Sequence, residues 1–119
     1  MAEYLLLFRD EGSEFPALGE AELEALMGRF IAWAENVSAA GQLKGVERLE
    51  GAGATVRHRD GAFVLDGPFA EAKETITGYF RVVAQSMDEA AKIAQGCPML
   101  LMGGSVEIRQ TAPFPGPTS

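Results

Sequence analysis

Two side chains able to transfer a proton lie on or beside a predicted β-hairpin, and they are the first candidates for chemistry. Asp66 follows the apolar run 62–65 and directly precedes Gly67 and Pro68. A carboxylate there could act as a general base or hold a ligand's hydroxyl group. The alternative is that it accepts backbone N–H groups of the turn. His58 is the single histidine, and because histidine changes charge near neutral pH it is the second catalytic candidate.

A cation and an aromatic side chain form a candidate ligand site on a later predicted strand. Tyr79 and Arg81 stand two residues apart, so they share one face of that strand. Arginine binds anions through directed hydrogen bonds, and a tyrosine ring adds apolar contact in a pocket. We therefore expect the pair to bind a small anionic or hydroxylated molecule. The alternative for Tyr79 is an aromatic residue of the core or of an interface, and the alternative for Arg81 is an ion pair with an acidic neighbour on the surface.

A short charged run follows the Gly67-Pro68 turn. Glu71 and Lys73 lie close to Asp66 in sequence, which makes them candidates for ligand contact. The alternative is a solvated surface run, because exposed ion pairs of this kind contribute little to stability and are common.

The sequence offers no preassembled site for a metal or a cofactor. Cys97 is the single cysteine, which excludes an internal disulfide and metal-binding cysteine pairs. The chain has no phosphate-binding loop and no dinucleotide-binding glycine pattern. We therefore expect neither a metal nor a cofactor. Cys97, next to Pro98, is expected to be a small buried hydrophobic side chain.

The overall composition predicts one acidic globular domain. The chain has 119 residues and a formal net charge of −7. This charge repels the nucleic-acid backbone and anionic membranes, so neither is an expected partner. The apolar run 5–8 is far too short for a signal sequence or a membrane span, and a single cysteine suits the cytoplasm. Residues 1–111 are expected to form the domain and residues 112–119 a proline-rich tail.

Hydrophobic periodicity predicts the first elements. The apolar run 4–8 predicts a buried strand, and apolar residues at three- and four-residue steps predict a helix that ends before Gly41. This predicted apolar stripe consists of Leu23, Leu26, Met27, Phe30, Ile31, Ala34 and Val37. The Asp60-Gly61 pair then predicts a hairpin between the runs 55–59 and 62–65.

The remaining elements complete a ferredoxin-like order. Further strands are predicted over 43–49, 75–84 and 105–110, and residues 99–104 are expected to be a loop. A capping box of Ser86 and Glu89 predicts a second helix. Without the inserted hairpin the order is β-α-β-β-α-β. In this α+β fold both helices cover one face of an antiparallel sheet.

The second face of the predicted sheet needs a cover. Leu5 and Leu6 are neighbours along one strand, as are Tyr79 and Phe80 along another, so both faces carry apolar side chains. A second copy of the chain would cover the open face through a two-fold interface. The predicted assembly is a homodimer.

Four blocks of the sequence resemble a known family. The blocks are 65–74, Gly78-Tyr79-Phe80, Cys97-Pro98 and 103–109. In this order they resemble the DGPF branch of the YCII-related family, over nearly the whole chain from residue 4 to residue 111. The resemblance implies a dimeric α+β barrel of ferredoxin-like subunits. It also implies that Gly67, Pro68 and Phe69 are the structural signature.

The resemblance leaves several functions open. Relatives are proposed to act on small, often aromatic, oxygenated compounds by lyase or isomerase chemistry, for which Asp66 would be the proton shuttle. DGPF-type proteins are associated with alternative RNA polymerase sigma factors, which implies a non-catalytic regulatory or interaction protein. A purely structural dimer module is the third alternative. Members with a His–Asp pair carry its histidine in the first helix, and here that position falls near Phe30, which cannot transfer a proton.

Overall fold

A computed structural model describes residues 1–11, 18–50, 53–66 and 74–116 of the chain. Its elements within these residues are β1 (Ala2–Glu11), α1 (Glu20–Ala39), β2 (Leu43–Arg48), β3 (Thr55–Arg59), β4 (Ala62–Asp66), β5 (Glu74–Ala84), α2 (Met87–Ala94) and β6 (Ser105–Gln110). A 3₁₀ helix, Pro98–Met102, lies between α2 and β6.

The described strands form a four-stranded antiparallel sheet and a separate hairpin. The order in the sheet is β2-β5-β1-β6, and β3 pairs with β4. Both α1 and α2 contribute to a core formed on one face of the four-stranded sheet. The predicted α+β class is therefore confirmed, and the arrangement is compatible with a ferredoxin-like fold.

Aromatic packing between α1 and the sheet forms the centre of the core. The Trp33 ring stacks on Phe80, with ring centroids 4.1 Å apart and planes 16° apart. Phe8 meets both rings at centroid distances of 5.5 and 5.3 Å. The indole N–H of Trp33 donates a 3.0 Å hydrogen bond to the backbone oxygen of Ile93. Trp33 therefore connects α1, the sheet and α2.

The buried ridge of α1 differs in part from the predicted apolar stripe. Leu26, Trp33 and Val37 are buried, and Phe30 packs beside them. Leu23 and Ile31, both assigned to the predicted stripe, are exposed. The prediction was wrong for these two positions because they lie eight residues apart on an adjacent ridge of the helix, and that ridge turns away from the sheet.

The structure has the predicted C-terminal end of α1 and the predicted N-terminal start of α2, and it differs from the prediction in one hydrogen bond. Gly41 has a φ of 75°, its N–H donates to Ser38 O, and the N–H of Gln42 donates to Val37 O. At the start of α2, Ser86 Oγ accepts a 3.1 Å hydrogen bond from the N–H of Glu89. The Glu89 carboxylate, however, accepts from the N–H of Gln85 at 3.2 Å, one residue earlier than the predicted capping box requires.

The predicted loop over 99–104 is mostly a 3₁₀ helix. Pro98 occupies its first turn, where a fixed φ is favourable and no N–H is needed. The helix ends at Gly103, which has a φ of 84°. The predicted loop did not allow for the fact that proline is favoured at the first position of a short helix.

Adding a methyl group at Gly96 is expected to destabilise the fold. A Cβ at Gly96 would lie 2.6 Å from two ring atoms of Trp33, so Gly96→Ala must displace the stacked indole. Overpacking of this kind costs about 1–3 kcal/mol of unfolding free energy, measurable by urea denaturation.

The matched control for this prediction is Gly28→Ala. Gly28 lies within α1, and a Cβ there would meet no atom outside its own helix within 4 Å. Alanine is the better helix former by about 0.5–1 kcal/mol, so this variant should be more stable than wild type. Equal stability of the two variants would contradict the proposed packing of Trp33 against Gly96.

Candidate functional site

Strand alternation gives the four-stranded sheet a second face that no helix of the described residues covers. On β1, Tyr4, Leu6 and Phe8 are buried in the helical core, so Leu5 and Leu7 lie on the opposite face. We call this opposite surface the open face. Its apolar centre consists of Leu5, Leu7, Tyr79 and Val83, all partly exposed.

Two rows of side chains cross the open face. Antiparallel register places Gly45, Arg81, Leu5 and Arg109 side by side, and we call these residues the arginine row. The next row, which we call the tyrosine row, consists of Glu47, Tyr79, Leu7 and Glu107. Residues directly opposite on neighbouring strands have adjacent side chains. A cation and an aromatic residue therefore lie next to each other above an apolar floor.

Arg81 retains hydrogen-bonding capacity. Its Nη2 donates a 3.1 Å hydrogen bond to the backbone oxygen of Lys44, while its Nη1 lies 3.9 Å from a Glu3 carboxylate oxygen. The guanidinium lies against Gly45, where a Cβ would approach it to 3.4 Å. A guanidinium has several N–H donors, and no other described residue accepts from this one. Arg81 can therefore bind an added anion.

The Tyr79 hydroxyl group is similarly available. Within the described part of the chain it makes no hydrogen bond to another residue. A phenolic hydroxyl both donates and accepts, so Tyr79 can contact a carboxylate or a hydroxyl group. The structure thus brings Tyr79 and Arg81 onto one face, as their spacing predicted.

Glu107 carries the most developed ion-pair network on the open face. Its Oε1 accepts hydrogen bonds from Arg9 Nε at 3.0 Å and Arg9 Nη2 at 2.7 Å. Its Oε2 accepts a 3.1 Å hydrogen bond from Arg109 Nη1. The hydrogen bonds from Arg9 and then Arg109 lower the pKa of Glu107. The carboxylate is therefore held in its ionised form.

Asp66 lies at the end of β4 on the hairpin, which is a different sheet. Its Oδ2 accepts a 2.9 Å hydrogen bond from Arg57 Nε and lies 3.6 Å from Arg59 Nη2. Within the described residues, no hydrogen bond or ion pair joins Asp66 to Tyr79 or Arg81. The arrangement provides a carboxylate with two arginine partners, separate from the candidate ligand site.

His58 lies on the opposite face of the hairpin from Arg57 and Arg59. Its ring meets Phe63 edge-on, with a centroid distance of 5.1 Å. Val56, Phe63 and Leu65 share this side of the hairpin and are 66%, 81% and 70% exposed. We call these three residues with His58 the apolar hairpin face. Nothing among the described residues covers it.

Comparison with known proteins places the chain in a family. The YCII-related domain model matches residues 2–115. The chain belongs to the YCII-related family. It is also 36% identical over 113 residues to "Uncharacterized protein R00369" from Rhizobium meliloti (strain 1021), an alignment that covers 92% of this chain and 91% of that protein.

Part of the family signature predicted from sequence lies outside the described residues. This holds for Gly67, Pro68, Phe69, Glu71 and Lys73, which follow Asp66. Their expected roles, structural for the first three and ligand contact for the last two, stay predictions. Asp66 and His58 also stay predictions as catalytic residues of this YCII-related protein.

Sequence reasoning missed three charged residues of the open face. Arg9, Glu107 and Arg109 were not among its candidates, although the structure places Glu107 and Arg109 in the two rows. The alternation of β6 carried a usable signal, because Glu107 and Arg109 are two residues apart, like Tyr79 and Arg81. The contact between Arg9 and Glu107 spans 98 positions, so no local pattern could reveal it.

The single cysteine is buried in the core and is not available as a nucleophile. Cys97 is 2% exposed, as predicted, and burial raises the pKa of its thiol to about 11 despite a backbone hydrogen bond from Met99.

The described residues offer little for other kinds of site. They contain no cluster of side chains suited to a metal ion. No helix among them is long and apolar enough to cross a membrane. A shallow depression between α1 and β2 is lined by Ile31, Ala34, Glu35, Ser38, Ala39 and Leu43.

Replacing Glu107 with glutamine is expected to remove a pH-dependent part of the stability. Because the pKa of Glu107 is lowered in the fold, its ionised form contributes stability above the unfolded-state pKa. That contribution is lost as pH falls through the lowered folded-state pKa. Urea unfolding from neutral to acidic pH should therefore show a difference between wild type and Glu107→Gln that shrinks as pH falls.

The control for this series is Glu35→Gln. Glu35 is an exposed glutamate of α1 that makes no ion pair within the described part of the chain. It reports the same chemical change without an arginine contact. A stability difference for Glu107→Gln that stays constant across the pH series would contradict the ion-pair network.

Proposed function

We propose that this YCII-related protein is a homodimer that binds a small anionic molecule, aromatic or hydroxylated, on the open face. The observation that carries the proposal is the adjacency of Arg81 and Tyr79 above Leu5 and Leu7. Arg81 would bind the anionic group, and the Tyr79 ring and hydroxyl would contact the body of the ligand.

The one-sided cover of the sheet supports the proposed dimer. Helices α1 and α2 pack on one face, while Leu5, Leu7 and Val83 lie on the other. A second copy would cover these side chains through a two-fold interface, giving an α+β barrel of ferredoxin-like subunits. The ligand would then lie between two sheets, where exclusion of water strengthens its contact with Arg81.

Acid–base chemistry of the lyase or isomerase type would require a proton-transfer group beside that ligand. Asp66 and His58 are the candidates, and both lie on the hairpin. The hairpin lies between β2 and β5 along the chain, and β5 carries Tyr79 and Arg81. A catalytic role would therefore require the hairpin of either subunit to approach the open face. Binding is the part of the function that the described contacts support best.

A second candidate function is a regulatory protein that binds an alternative sigma factor. The observation that favours a protein partner is the apolar hairpin face, because exposed apolar clusters of this kind mark interaction sites. If this alternative holds, a purified alternative sigma factor should be retained by wild type and not by Phe63→Ser. Equal retention, or none, would exclude this hairpin mode.

A charge at the centre of the open face is expected to break the dimer. Sedimentation of wild type at micromolar concentration should give twice the 12.7 kDa chain mass. Leu7→Glu should sediment as a monomer with an unchanged circular dichroism spectrum, because a buried unpaired carboxylate is costly. The control Ile31→Glu changes an exposed position of α1 and should stay dimeric. A wild-type monomer would contradict the barrel.

Removing the charge of Arg81 is expected to weaken binding of benzoate without unfolding the protein. A hydrogen bond to a charged group contributes about 1.5–3 kcal/mol, so Arg81→Gln should lower affinity about tenfold or more by isothermal titration calorimetry. The control Arg59→Gln removes an exposed arginine from the hairpin instead. Equal affinities of these two variants would contradict the proposed site.

A further inference from the structure

The arginine row contains a second cation beyond the one used in the proposed function. Arg81 and Arg109 are both directly opposite Leu5, one on each neighbouring strand. Adjacent strands lie about 4.8 Å apart, so the Cα atoms of the two arginines are about 10 Å apart across the sheet. Leu5 lies between them, and Leu7 and Tyr79 lie in the adjacent row.

Arg109 is available for an added anion although it contacts Glu107. The Glu107 carboxylate receives two hydrogen bonds from Arg9 but one from Arg109, at 3.1 Å. The Arg109 side chain is 71% exposed and makes no other hydrogen bond or ion pair within the described part of the chain. A guanidinium keeps further N–H donors after one such bond. Arg109, at the β6 end of the row, can therefore donate hydrogen bonds to an added anion.

Within the arginine row, the stretch from Arg81 to Arg109 has two ends that differ in chemistry from its middle. Each end has a guanidinium with spare donors, and the middle has only the apolar side chain of Leu5. A molecule with a single anionic group would use one end alone. A molecule with an anionic group at each end of an apolar body would use both ends and the middle.

We propose that Arg109 is a second ligand-binding residue and that the ligand is dianionic, with two carboxylate-like groups joined by an aromatic or hydrocarbon body. Arg81 binds one group, Arg109 binds the other, and the body lies over Leu5 and Leu7. This inference rests on the proposed function for the Arg81 end. It adds a second anchor and a ligand class that excludes simple monoacids as the preferred partner.

Two matched pairs of probes test this inference by isothermal titration calorimetry at neutral pH, with full-length protein. Benzoate is compared with terephthalate, and octanoate with suberate, so that each pair differs in the second carboxylate. The dianion of at least one pair should bind wild type about tenfold more tightly than its monoanion, the gain expected from one further charged hydrogen bond. Arg109→Gln should abolish that gain and leave the affinity of the monoanion nearly unchanged.

Two further variants separate binding from folding. Arg109→Lys keeps the charge and should retain part of the gain for the dianion, whereas Arg59→Gln, on the hairpin, should retain all of it. Melting temperatures of all variants show whether a loss of binding reflects a loss of structure.

The outcomes distinguish this inference from the proposed function. Monoanions that bind through Arg81 as tightly as dianions would overturn the second anchor while supporting the first. A gain for the dianion that survives Arg109→Gln would likewise overturn the role of Arg109. Absence of binding for all four probes would overturn both proposals.

Discussion

The stacked contact between Trp33 and Phe80 fixes which face of the sheet is covered. Phe80 is a central-sheet residue of β5, and Trp33 also hydrogen-bonds the backbone of Ile93 in α2. One side chain therefore connects both helices to the same face. Gly96 leaves the space that the indole occupies. Because both helices lie on that face, the charged side chains of the two rows and Tyr79 lie on the open face.

The residues of the open face are determined by the alternation of side chains along each strand. Phe80 and Val82 are buried in the core, so Tyr79 and Arg81 face the other way. The same alternation on β6 places Glu107 and Arg109 on the open face, whereas Ile108 between them packs against the core on the other face. The packing of the core therefore also determines which charged side chains lie in the two rows. The open face of this acidic chain carries three arginines and three glutamates around an apolar centre.

Local patterns predicted much of this arrangement. The Asp60-Gly61 turn, the helix end at Gly41 and the Ser86 cap are each determined by a few adjacent residues, and each is found. The burial of Trp33 and the exposure of Ile31 depend on how α1 is rotated against the sheet. That rotation is a tertiary property, so periodicity alone could not decide between two adjacent ridges of the helix.

The placement of the candidate site residues was predicted in part for the same reason. Tyr79 and Arg81 share a strand, so their common face followed from sequence. Arg109 joins them only through the pairing of β1 with both β5 and β6, which links distant parts of the chain. The arginine partners of Asp66 could have been inferred from the predicted hairpin. A two-residue turn at Asp60-Gly61 pairs the strands so that residues 57, 59 and 66 share one face.

Binding of a small anion to the open face can be measured by nuclear magnetic resonance. Isotopically labelled protein with assigned backbone amides is titrated with benzoate. Binding at this face should give saturable shifts that are largest at Leu5, Leu7, Tyr79 and Arg81. Shifts concentrated instead on the hairpin or in the depression between α1 and β2, or no saturable shifts at all, would contradict it.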